Sequence, residues 1–142
     1  MPARDLNRFL SKARRALGLP HQSVSVCLVT NAEMARWNRT YRGKSGPTDV
    51  LSFPADKTSG AGGARAFPAA HLGRPRAKYL GDIGIAPAVA RRNARRFGRT
   101  LGDEVRILIL HGMLHLMGYD HETDRGQMER REQRLRRALG LG

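Results

Sequence analysis

The sequence of 142 residues has the length of a single domain with a buried core, and we expect one domain over residues 1–142. It carries 26 Lys and Arg against 12 Asp and Glu, a formal net charge of +14. The expected partner is therefore a polyanion, most simply nucleic acid. The alternatives are an anionic membrane surface and a solvated arginine-rich surface without a partner. Cys27 is the only cysteine and has no disulfide partner, which fits a reducing cytoplasm, and no apolar run is long enough to span a bilayer.

The first part of the chain predicts a helix, a strand and a second helix. Apolar residues recur at helical spacing over residues 6–17, and a glycine and a proline then end the helix. Residues 23–30, SVSVCLVT, are rich in β-branched side chains and predict a strand. The motif Thr-Asn-Ala-Glu at residues 30–33 is typical of a capping box that begins a short helix through Trp37.

The middle of the chain predicts two strands separated by a long loop. Residues 48–54, TDVLSFP, predict a strand that ends at its proline. Residues 55–78 are rich in Gly, Ala, Pro and Arg and have no sustained period, so we expect a long basic loop there. Residues 79–86 predict the next strand, and Pro87 begins a helix with many arginines.

The last part predicts a buried helix and a final amphipathic helix. Residues 105–117, VRILILHGMLHLM, are apolar on nearly every side, as expected of a helix in the centre of a fold. Residues 122–139 predict a weaker helix. We therefore expect an α+β domain with a small, mostly mixed sheet of about four strands, covered by about five helices, in which the buried central helix carries His111 and His115.

The segment HGMLHLMGYDH, residues 111–121, contains three of the five histidines. On a helix, His111 and His115 lie one turn apart, so both imidazoles can face one ion. Gly118 is a natural residue to end that helix, because glycine adopts a left-handed backbone at little cost, and the chain can then bring His121 to the same point. Three imidazoles with an open fourth position are what a catalytic zinc site requires. Histidines that simply pack in the core are the alternative.

This spacing is that of the metzincin zinc proteases, in which a glutamate follows the first histidine and acts as the general base. Gly112 occupies that position here. Without the carboxylate, the pattern favours a metal site but not peptide hydrolysis.

Three blocks of the sequence closely resemble the YbeY family of bacterial endoribonucleases that mature ribosomal RNA. They are HGMLHLMGYDH at residues 111–121, WNRTYRGKSGPTDVLSFP at residues 37–54 and LGDIGIAP at residues 80–87. The blocks occur in the order of the family, and the resemblance extends from about Ala32 to about Met128.

The resemblance implies a zinc-dependent endoribonuclease that prefers single strands and acts in the 3′-end maturation of small-subunit rRNA and in ribosome quality control. It assigns His111, His115 and His121 to the metal-binding triad, for one Zn²⁺ per chain, and matches Arg42 to a functionally important arginine that we expect to clamp phosphate. The implied partners are single-stranded RNA or rRNA and the ribosome or its small subunit, in the cytoplasm and with no membrane.

Two other functions stay open from the sequence. A non-catalytic ribosome-assembly or RNA-binding factor would hold a structural zinc, although such sites normally have four protein ligands. The second open function is a metal-dependent hydrolase of another substrate, including a peptide. Asp120 and Asp82 are candidate carboxylates for orienting the imidazoles, and Asp120 could equally cap a turn.

Overall fold

The computed structural model describes residues 3–55, 79–120 and 122–141. Five helices lie within these ranges. They are α1 (Ala3–Ala16), α2 (Asn31–Arg42), α3 (Pro87–Phe97), α4 (Leu101–Leu116) and α5 (Gln127–Ala138). All but one residue of the predicted loop at 55–78 lies outside the described residues.

A mixed sheet holds three strands in the described part of the chain. They are β1 (Ser23–Leu28), β2 (Val50–Pro54) and β3 (Tyr79–Ile85). The order is β1-β3-β2, with β3 parallel to β1 and antiparallel to β2. The α+β class and the mixed sheet are therefore confirmed, and the prediction of about four strands is wrong for these residues. The remaining apolar sequence there has helical spacing and forms helices.

The central helix is α4, which packs against β2, β3, α3 and α5. The Thr100 hydroxyl accepts a hydrogen bond of 3.1 Å from the backbone N–H of Asp103 and caps the start of the helix. Ile109, Leu110 and Met113 are completely buried. The residues that begin α4 are thus set by a local cap, and its apolar surface anchors it in the core.

The two faces of the sheet bury different helices. Side chains alternate along β2, so that Ser52 faces α4 while Leu51 and Phe53 belong to a second apolar cluster with α2. Trp37 of α2 is buried and its ring meets that of Phe53 edge to face at 6.1 Å. Among the described residues, no helix has both the length and the apolar character needed to cross a membrane.

Cys27 is half-buried in β1 and opposite Gly84 of β3. Burial, together with the charge of Asp82, raises the pKa of its thiol above the ordinary value. The thiol therefore resists ionisation.

Candidate metal centre

His111 and His115 present their imidazoles to each other from consecutive turns of α4. The ring centroids are 4.8 Å apart, the rings are nearly perpendicular, and the two Nε2 atoms are separated by 3.2 Å. Both side chains are half-buried, at the edge of the core rather than within it. The predicted convergence of these two histidines is present in the structure.

Gly112, between the two histidines, packs closely against the sheet. A Cβ at this position would lie 2.9 Å from Ser52 Oγ and 3.1 Å from two methyl carbons of Ile83. The Ser52 hydroxyl also donates a hydrogen bond of 3.0 Å to the Gly112 carbonyl. This position has no space for the glutamate of a zinc protease, so the packing of α4 on the sheet excludes that general base.

Each imidazole is held through its Nδ1 atom. His111 Nδ1 is 2.7 Å from Glu132 Oε1 on α5, and His115 Nδ1 is 2.9 Å from the backbone carbonyl of Tyr119. Because both partners are hydrogen-bond acceptors, each Nδ1 carries the proton of its neutral ring, and each Nε2 then presents a lone pair. At 3.2 Å the two Nε2 atoms are close enough to share one proton or one cation.

The pair fits a zinc ion by its donor chemistry. Two nitrogen ligands at ~2.0–2.1 Å from a tetrahedral zinc lie roughly 3.3–3.4 Å apart, close to the 3.2 Å between the two Nε2 atoms. Orientation of each ring by a carboxylate or a carbonyl at Nδ1 is also usual for histidines that bind metal. His111 and His115 would therefore hold such an ion through Nε2.

Helix α4 ends at a left-handed glycine. Gly118 has a left-handed backbone with φ of 102°, and the N–H groups of Gly118 and Tyr119 donate to the carbonyls of His115 and Leu114. These bonds form a Schellman motif, as the predicted helix end at Gly118 requires. His121 lies outside the described residues. Within residues 3–55, 79–120 and 122–141, no group of three His, Cys, Asp or Glu side chains could hold a metal ion, so the predicted third ligand stays a prediction.

Arg42 lies at the end of α2, beside the turn that follows α4. Its Nη2 is 3.2 Å from Glu122 Oε1, and Lys44 Nζ is 3.4 Å from the same oxygen. Gly43 turns the chain between the two cations with a left-handed backbone. The fold thus places two positive charges, Arg42 and Lys44, beside Glu122, the residue that follows His121. A single oxygen of the Glu122 carboxylate accepts from both.

The family model described as Endoribonuclease YbeY matches residues 3–140. The chain belongs to the YbeY family. The resemblance seen in the three sequence blocks is thereby confirmed, and the match extends almost to both ends of the chain.

Relatives in the YbeY family cover nearly the whole chain. The chain is 41% identical over 137 residues to "Endoribonuclease YbeY" of Koribacter versatilis, with 96% of this chain and 77% of the relative covered. It is also 41% identical over 139 residues to the protein of that name from Moorella thermoacetica, covering 96% and 85%. The solution structure of TM1509 from Thermotoga maritima matches with a TM-score of 0.56 at 27% identity, covering 96% of this chain and 79% of that one.

Glu132 is the site residue that the sequence and the YbeY resemblance both missed. It lies 21 positions after His111 on a different helix, and nothing in the local pattern distinguishes it from the other charged residues of α5. Among the described residues, Asp82 is buried and accepts a hydrogen bond from the Tyr79 hydroxyl, and Asp120 accepts one of 3.0 Å from the backbone N–H of Glu122. Asp120 therefore makes the turn-capping contact, and the orientation of imidazoles by Asp82 or Asp120 stays a prediction.

Proposed function

We propose that this chain is a zinc-dependent endoribonuclease that prefers single-stranded RNA and acts in the cytoplasm on the ribosome or its small subunit. It matures the 3′ end of small-subunit rRNA and takes part in ribosome quality control. Membership of the YbeY family supports the RNA substrate. The observation that carries the catalytic proposal is the pair of Nε2 atoms 3.2 Å apart, with each Nδ1 engaged by an acceptor.

In this proposal His111, His115 and His121 hold one zinc ion, which supplies Lewis acidity to a phosphodiester when it is bound. Glu132 and the Tyr119 carbonyl keep the imidazoles in the tautomer that binds metal. Arg42 binds the phosphate, since a guanidinium offers a planar fork of donors and keeps its charge at every relevant pH. RNA binding then requires the phosphate to replace the Glu122 carboxylate at Arg42 Nη2.

The test measures zinc content and cleavage of a labelled single-stranded RNA by the wild type and by His115→Ala and Arg42→Ala. His21→Ala is the matched control, because His21 is exposed in the turn before β1. We expect His115→Ala to lose both zinc and cleavage, Arg42→Ala to lose cleavage while keeping zinc, and the control to keep both. If cleavage persists after chelation and in both active-site variants, it comes from a contaminating nuclease, and the proposal is refuted. Stoichiometric zinc and RNA binding without cleavage would identify a non-catalytic assembly factor.

A further inference from the structure

The exposed side of α3 is a dense cluster of positive charge. Four exposed arginines occupy it: Arg91, Arg92, Arg95 and Arg96. At 100° per residue these positions fall within an arc of about 140°, and the buried Ala90 and Ala94 lie outside that arc on the side that packs into the protein. The helix therefore directs all four guanidinium groups away from the core.

These four arginines have no acidic partner within the described residues. The sequence of α3, PAVARRNARRF, contains no Asp or Glu. The carboxylates near the helix have other partners, since Asp49 accepts from Asn93 and Glu104 pairs with Arg99. Like charges one turn apart on a helix repel each other, so this face gains from an anion that comes from outside the chain.

An exposed aromatic ring ends the arginine row. Phe97 is 54% exposed, and the guanidinium carbons of Arg96 and Arg99 lie 5.4 Å and 5.0 Å from its ring centroid. Nucleobases stack on exposed aromatic rings and on the planes of arginine guanidiniums, so Phe97 and the two guanidiniums over it together offer a stacking surface. An anionic membrane fits less well, because the apolar side of α3 is already buried and only Phe97 could insert.

The Phe97 end of the cluster lies far from the histidine pair. Residues 98–100 connect α3 to α4, so Phe97 lies at the beginning of α4, whereas His111 and His115 lie in its last turns. At 1.5 Å per residue, His111 is about 15 Å and His115 about 21 Å from Leu101 along the helix axis. An RNA that contacts both Phe97 and the histidines must therefore be several nucleotides long.

We propose that the arginine face of α3, together with Phe97, is a second RNA-binding surface that grips the backbone of a longer RNA outside the cleavage site. The four guanidiniums neutralise phosphates without reading sequence, and Phe97 stacks on one base. The assignment of RNA as the ligand rests on the proposed function.

The test compares the combined variant Arg91→Gln, Arg92→Gln, Arg95→Gln, Arg96→Gln with a control of equal charge change. The control is Arg4→Gln, Arg15→Gln, Arg134→Gln, Arg137→Gln, in which four exposed arginines on α1 and α5 are replaced. Fluorescence anisotropy gives the affinity for a short RNA of a few nucleotides and for an unstructured RNA several times that length, over a range of salt concentrations. Thermal unfolding confirms that both variants are folded.

We expect the α3 variant to bind the long RNA about 10- to 100-fold more weakly than wild type near 0.1 M salt, with a salt slope smaller by about 2–3. Affinity and cleavage rate for the short RNA stay at the wild-type level. Phe97→Leu alone should weaken long-RNA binding about 5-fold or more. The control variant should lose far less affinity for the long RNA than the α3 variant does.

Two results would overturn the proposal. One is an equal loss in the control, which means that net charge alone determines the affinity. The other is unchanged binding of the long RNA by the α3 variant; a companion assay with phosphatidylglycerol vesicles then shows whether the face binds a membrane instead. Failure of the proposed function is separable: a wild-type protein that cuts no RNA disproves the nuclease, while the affinity measurements still decide the role of α3.

Discussion

Replacement of Gly112 by alanine tests how tightly α4 packs on the sheet beside the histidine pair. Alanine is the better helix former, and on an exposed helix Gly→Ala would stabilise the protein by about 1 kcal/mol. Here the added Cβ lies 2.9 Å from Ser52 Oγ and 3.1 Å from two carbons of Ile83, which is closer than such atoms approach in ordinary packing. Because Ile83 is completely buried, it has little room to move.

The expected net effect is destabilisation. Overpacking a core costs typically 1–3 kcal/mol, and disturbing the hydrogen bond from Ser52 to the Gly112 carbonyl costs about 1 kcal/mol. The gain in helix propensity offsets roughly 1 kcal/mol of this. We therefore expect Gly112→Ala to lower the free energy of unfolding by about 1–3 kcal/mol.

Urea unfolding of four proteins measures the effect: wild type, Gly112→Ala, Ser52→Ala and the double variant. Ser52→Ala removes the atom that is nearest to the new Cβ. The double variant should therefore be about 1 kcal/mol more stable than the sum of the two single effects predicts. A Gly112→Ala protein that is more stable than wild type, or strictly additive effects in the cycle, would refute the packing argument.

Three further predictions concern single side chains. Glu132→Ala should weaken zinc binding about 10- to 100-fold in a chelator competition, because it removes the acceptor that orients an imidazole, whereas the exposed Glu129→Ala on the same helix should not. Glu122→Gln should tighten RNA binding several-fold, because it removes the carboxylate that competes with phosphate for Arg42. The free energy of unfolding should change by at most about 1 kcal/mol, since this ion pair is exposed. An unchanged RNA affinity would contradict this prediction. Burial raises the pKa of the Cys27 thiol, so the pH midpoint of its reaction with iodoacetamide should be higher in the folded than in the urea-unfolded protein. The free energy of unfolding should then decline as the pH rises past the ordinary thiol pKa, because the unfolded state loses its proton first. Coincident midpoints for the folded and unfolded protein would contradict this prediction.

Much of the local structure could be predicted from the sequence, because it depends on residues a few positions apart. Thr100 caps α4 through the N–H three residues later, and Gly118 ends it in a left-handed conformation. The three stretches rich in β-branched and apolar residues between turns became strands. The spacing of His111 and His115 placed both rings on one side of a helix.

The sequence by itself therefore determined the class of fold, the central helix and the convergence of two histidines. The tertiary structure decided what surrounds them. Glu132 reaches His111 from another helix, Glu122 meets Arg42 across 80 positions, and Gly112 packs against the sheet. Caps and periodicity arise from backbone hydrogen bonds within one or two turns, whereas these contacts depend on how whole elements pack, which no short stretch of sequence encodes.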